Sequence, residues 1–126
     1  SSIDKNWDIE ILEMHHRSKV DAPSGTALAL GKTASLARKE NFDKVSKLSR
    51  EGKVGERKKD EIGFATLRGG SVVGDHTIIL AHDDERIELT HKASNRKIYA
   101  NGAVKAAIWC ATQKKGLFSM SEVLEL

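Results

Sequence analysis

Apolar and polar positions alternate at the start of the chain, then give way to a helical period. Ile9, Ile11 and, after a slip of one, Met14 stand among Asp8, Glu10 and Glu13, which predicts a strand over residues 7–15. Pro23, the one proline, suits the first position of a helix, where its missing N–H costs nothing. Ala27, Leu30, Ala34 and Ala37 then recur at helical spacing, so a helix is expected over 24–40. Residues 43–62 are charged, contain Gly52 and Gly55 and carry no period; they read as a long loop. Strand patterns return at 64–68, 71–82 and 86–94, with Gly69-Gly70 and Asp83-Asp84 as turns. Ile87 and Leu89 alternate with Glu88 and Thr90, as in a sheet with one polar or partner-facing side. A last long helix is expected over 95–115, with Ser94 to cap it, Gly116 to end it, and Tyr99, Ala103, Ala106, Ala107 and Cys110 as its apolar stripe. The tail carries Phe118, Met120, Val123 and Leu124, enough apolar surface to imply docking. The order strand, helix, three strands, helix predicts an α+β fold: a mixed, largely antiparallel sheet of about four strands with two main helices on one side.

Composition narrows the class without changing this picture. The 126 residues are 39% apolar and 31% charged, which fits one globular domain over 1–126. The longest apolar runs fall far short of the ~20 residues that span a bilayer, so no membrane partner is expected. Cys110 stands alone, so no intrachain disulfide can form, and it reads as a buried small hydrophobe in a cytoplasmic protein. The net charge of +3 raises the question of nucleic acid. However, Lys53, Arg57, Lys58 and Lys59 are interleaved with Glu51, Glu56, Asp60 and Glu61, and no aromatic residue stands among them. That is a solvated loop, and no nucleic-acid partner is expected.

The segment from His15 to Thr26 carries the chemistry. It runs from a strand end through a short loop into a helix start, where unpaired backbone N–H groups and the helix dipole favour an anion. Gly25 leaves room for a close ligand, Ser24 and Thr26 add hydroxyls, and His16, Arg17 and Lys19 add donors or charge. His15 and His16 lie on opposite sides of an extended backbone and have no third histidine or cysteine at ligand spacing, so no metal is expected. A histidine beside a lysine can instead handle a proton near neutrality. Each feature has a plainer reading: an ordinary helix start, a strand-end histidine pair bonded to backbone, a solvated lysine. Together they describe an anion pocket with a proton donor, in an enzyme or in a stand-alone anion- or dicarboxylate-binding module without catalysis. A serine hydrolase built on Ser24 fits poorly, because proline precedes that serine where a nucleophile elbow needs glycine.

The string from His15 to Ala27, His-His-Arg-Ser-Lys-Val-Asp-Ala-Pro-Ser-Gly-Thr-Ala, resembles the signature of the dihydrodipicolinate reductases. Further matches follow in order: Ile62-Gly63-Phe64, Arg68-Gly69-Gly70, Val73-Gly74-Asp75-His76-Thr77, residues 88–96, Ala100-Asn101-Gly102-Ala103, and Gly116-Leu117-Phe118 with Val123-Leu124. The resemblance implies a proton donor/acceptor at His15 and a partner acid at Lys19. It implies substrate binding by His16, Gly25 and Thr26 with Ser24 beside them, and a contribution from Arg96. It further implies a small dicarboxylate substrate, NADPH or NADH as hydride source, a homotetramer, and a place in diaminopimelate and lysine biosynthesis. No Gly-rich turn follows a strand here, so an N-terminal nucleotide-binding Rossmann domain is expected to be absent from this chain, leaving it inactive alone.

Overall fold

The computed structural model describes residues 6–126. They fall into two compact units, one running to Lys92 and the other covering Ala93–Leu126.

The first unit holds β1 (Asp8–His15), α1 (Gly25–Ala37), α2 (Phe42–Val45), β2 (Ser46–Lys47), β3 (Ile62–Arg68), β4 (Gly74–Ala81) and β5 (Arg86–Ala93). The sheet order is β2-β3-β1-β4-β5, which puts β1 in the centre. β3 runs parallel to β1, β4 antiparallel to it, and β2 parallel to β3. The α+β class and mixed sheet are as expected; the strand number is five rather than about four. The extra strand, β2, and the short helix α2 lie in the stretch read as loop. Neither has enough residues to establish a period.

Cross-strand register stacks the buried face of β1 in rows. Ile9 stands between Ile62 and Leu80, and Ile11 between Phe64 and Ile78. Ala27 of α1 completes this core, with Trp7, Leu28, Leu30 and Phe42 packed around it. The side of α1 that is buried consists of the small residues Ala27, Gly31 and Ser35, one turn apart. Small residues let the helix backbone approach the sheet: a Cβ on Gly31 would stand 2.5 Å from Phe64 Cζ.

The other face of β1 is ionic. Arg50 donates to both Glu10 oxygens at 2.7 and 2.8 Å, and Arg57 reaches Asp8 at 2.6 Å and Glu10 at 3.0 Å. These pairs fasten the charged 48–61 segment to the sheet, so part of its basic charge is matched within the fold.

In the second unit, α3 (Lys97–Cys110) and the one-turn α4 (Met120–Val123) are separated by an irregular stretch. Trp109 and Phe118 meet edge to face at 5.1 Å, and Ser119 with Glu122 forms a capping box on α4. No residue of α3 is buried, and Cys110 is exposed, contrary to its expected burial.

Candidate active site

The third row of the sheet departs from the apolar core. Glu13 continues the buried face of β1 and stands between Thr66 on β3 and His76 on β4. His15 follows on the same face, opposite Arg68. The slip inferred at Met14 does not exist: the alternation continues through Glu13 and His15, which are buried, and the residue type changes instead. This change marks where the core ends and chemistry begins.

Glu13 is fully buried at 0% exposure and is richly partnered. Its Oε1 accepts the Ser24 N–H at 2.8 Å and the Thr66 hydroxyl at 3.1 Å, while its Oε2 lies 2.7 Å from His15 Nδ1. Burial alone would raise the Glu13 carboxyl, but hydrogen bonds from Ser24 and Thr66 and the facing His15 hold it below the usual carboxylate range. His76 stands edge-on to His15 at 5.0 Å and meets Ser24 Oγ at 3.2 Å. Ser24 in turn caps α1, its Oγ accepting the Ala27 N–H at 3.2 Å. Pro23, expected at the first helical position, precedes this cap in a cis peptide.

The loop between β1 and α1 is tied down by backbone contacts. Gly69 N–H donates to the His15 carbonyl at 2.9 Å, and Arg68 bonds the carbonyls of Lys19 and Asp21. Lys19 Nζ pairs with Asp21 at 2.7 Å. His16 is half-buried, and Gly25 and Thr26 are exposed in the first turn of α1. There the helix has no acceptors of its own for their N–H groups. The sequence-predicted residues His15, His16, Lys19, Ser24, Gly25 and Thr26 therefore fall on one strand end, one loop and one helix start. Arg96 lies in the second unit, exposed at the N-cap of α3.

Sequence reasoning missed Glu13 and His76. It found no third histidine near the pair, whereas the sheet register brings His76 from β4 to the same buried cluster as Glu13 and His15. The continuing alternation of positions along β1 was the available signal for Glu13, and Val73-Gly74-Asp75-His76-Thr77 for His76.

Both imidazoles are held neutral. Burial is the largest cause at His15; Glu13 opposes it, while Lys19 and Arg68 reinforce it, and the net pKa falls. At His76 burial again leads, His15 and His91 add to it, and Glu13 and Asp75 oppose it, with a net fall. Between the folded values and the unfolded value near 6.5, the unfolded chain binds more protons. Stability from these groups is thus present above about pH 6.5 and lost as the pH falls through that value toward the folded pKa values. Urea midpoints measured from pH 7.5 down to 5 should decline, and H76Q should decline less steeply. An equal slope in wild type and H76Q would show that His76 is not held neutral.

Comparison with known proteins converges on one family. Residues 1–124 match the family described as dihydrodipicolinate reductase, C-terminus. The 4-hydroxy-tetrahydrodipicolinate reductase of Rhodopseudomonas palustris (strain BisA53) is 57% identical over 125 residues, which is 99% of this chain and 46% of that protein. The enzyme of the same name from Agrobacterium fabrum (strain C58) is 55% identical over 122 residues, 97% of this chain and 44% of that protein. A solved structure, dipicolinate-bound dihydrodipicolinate reductase from Paenisporosarcina sp. TG-14, shares the fold. It has a TM-score of 0.59 at 24% identity, covering 94% of this chain and 40% of that one. The matched family model is the C-terminal part of a reductase. The chain belongs to the dihydrodipicolinate reductase C-terminal family, and it spans about half the length of the curated relatives it matches.

Proposed function

We propose that this chain is the substrate-holding and proton-handling half of a 4-hydroxy-tetrahydrodipicolinate reductase, acting in diaminopimelate and lysine biosynthesis. The observation that carries the reading is the gathering of His15, His16, Lys19 and the Ser24-Gly25-Thr26 helix start around one strand end, in a chain of that family.

A small cyclic dicarboxylate suits the site's chemistry. The first-turn N–H groups of Gly25 and Thr26 and the Thr26 hydroxyl offer donors to one carboxylate, at the positive end of the α1 dipole. His16 adds a ring donor, and Arg96 is proposed to serve the substrate from α3. A nicotinamide cofactor, NADH or NADPH, supplies the hydride when bound. The described residues offer no strand followed by a Gly-rich turn into a helix, so a nucleotide-binding domain outside these 126 residues is proposed to hold it. The residues of this chain orient the ring and deliver the proton. His15 serves as the proton donor/acceptor and Lys19 as its partner acid.

A homotetramer in the cytoplasm completes the proposal. The exposed run along β5, which includes Leu89 at 63% exposure, supports the oligomer. No helix among the described residues is long and apolar enough to cross a membrane. The chain by itself is expected to show no substrate-dependent oxidation of NADH or NADPH, followed by absorbance. Turnover by the isolated 126-residue polypeptide would sink the assignment of the cofactor site to another domain.

A further inference from the structure

We infer that Glu13 is a positioning residue that locks His15 in the tautomer protonated on Nδ1, leaving Nε2 as the proton-accepting atom. The inference rests on the reductase reading for its consequence, while the tautomer itself is argued from the contacts and charge of Glu13.

Both Glu13 oxygens are committed. Oε1 receives two donors, the Ser24 N–H at 2.8 Å and the Thr66 hydroxyl at 3.1 Å. Oε2 faces His15 Nδ1 at 2.7 Å, and neither of these two buried atoms has another partner among the described residues. At that ion-pair separation, a lone pair on Nδ1 would face the lone pairs of the carboxylate, whereas a proton on Nδ1 is attracted to them. An ionised carboxylate can only accept, so the proton between them belongs to Nδ1. A neutral imidazole then has its lone pair on Nε2. That atom lies against Gly74, where a Cβ would stand only 3.1 Å away.

A metal ion is the competing reading, since the ligand atoms of Glu13, His15 and His76 lie within 4.8 Å of one another. Separation decides between them. Neighbouring ligands on a tetrahedral ion with bonds of about 2.1 Å stand about 3.4 Å apart. The 2.7 Å between Glu13 Oε2 and His15 Nδ1 is a charge-assisted hydrogen-bond distance instead.

One carboxylate thus orients His15 and, through Ser24, the start of α1. Glu13→Gln tests this nearly isosterically: the amide oxygen can still accept from Ser24 and Thr66, but the amide nitrogen now donates to Nδ1. Ring-nitrogen NMR of this chain, with the His15 signal assigned by its loss in His15→Gln, should show Nδ1 protonated in wild type and Nε2 protonated in E13Q. In the complete reductase, E13Q should lower kcat about 100-fold or more with KM within a few-fold, and Glu13→Asp should recover part of the loss. Wild-type His15 protonated on Nε2 overturns the inference whatever the kinetics, and even if E13Q does not fold. The expected tautomers with turnover unchanged in both E13Q and His15→Ala would overturn the catalytic role while leaving the tautomer assignment standing.

Discussion

In the complete reductase, replacing Lys19 by alanine is expected to lower kcat by about two to four orders of magnitude, the range a positioned proton donor contributes. Lys19 is held in place by its surroundings. Its carbonyl is bonded by Arg68, its side chain is only 21% exposed, and its ammonium is anchored on Asp21. His15→Ala is expected to cause a loss of similar size. The double variant should lose less than the product of the two, because groups acting as a unit are not additive. Steady-state rates at saturating substrate, together with KM, separate the alternatives. Near-normal turnover in both variants with only weakened substrate binding would make the pocket a dicarboxylate-binding module with no proton chemistry.

The largest effect on stability is expected from Phe64→Ala, at about 3–5 kcal/mol. Phe64 is 3% exposed, stands beside Ile11 in the central row, meets Phe42 edge to face, and lies where Gly31 lets α1 approach. A domain of this size has about 5–15 kcal/mol in all, so the variant should lose a large share of its stability. Urea unfolding followed by tryptophan fluorescence reads this directly. A loss below about 1 kcal/mol would contradict the packing of α1 on β3 described above.

Much of this architecture was legible in the residue pattern, for identifiable reasons. The central strand, the helix after Pro23 and the strands β3 to β5 carry clear periods, and Ser24 is a good capping residue. β2 and α2 escaped because neither is long enough to repeat a period, and they form by pairing with β3 and packing near α1. The His15-to-Thr26 half of the site was visible because it is contiguous. Glu13, Thr66 and His76 were not, because they meet only through sheet register, across separations of more than fifty residues. A buried glutamate in an otherwise apolar alternation looks like a slip until its partners are known. With partners it becomes the residue that joins strand, histidine and helix start. Cys110 failed for the opposite reason: an apolar stripe on α3 predicts a buried face, but no residue of that helix is buried in this chain.

The central claim is that the strand end at His15 and the start of α1 form a dicarboxylate site. Its most direct test is a titration of this chain with dipicolinate, followed by backbone amide NMR. The account predicts saturable shifts concentrated at His16, Lys19, Ser24, Gly25 and Thr26, abolished in a variant in which Lys19 and Thr26 are both replaced by alanine. Saturable shifts centred elsewhere on the chain, or none at these five residues at saturating ligand, would contradict it.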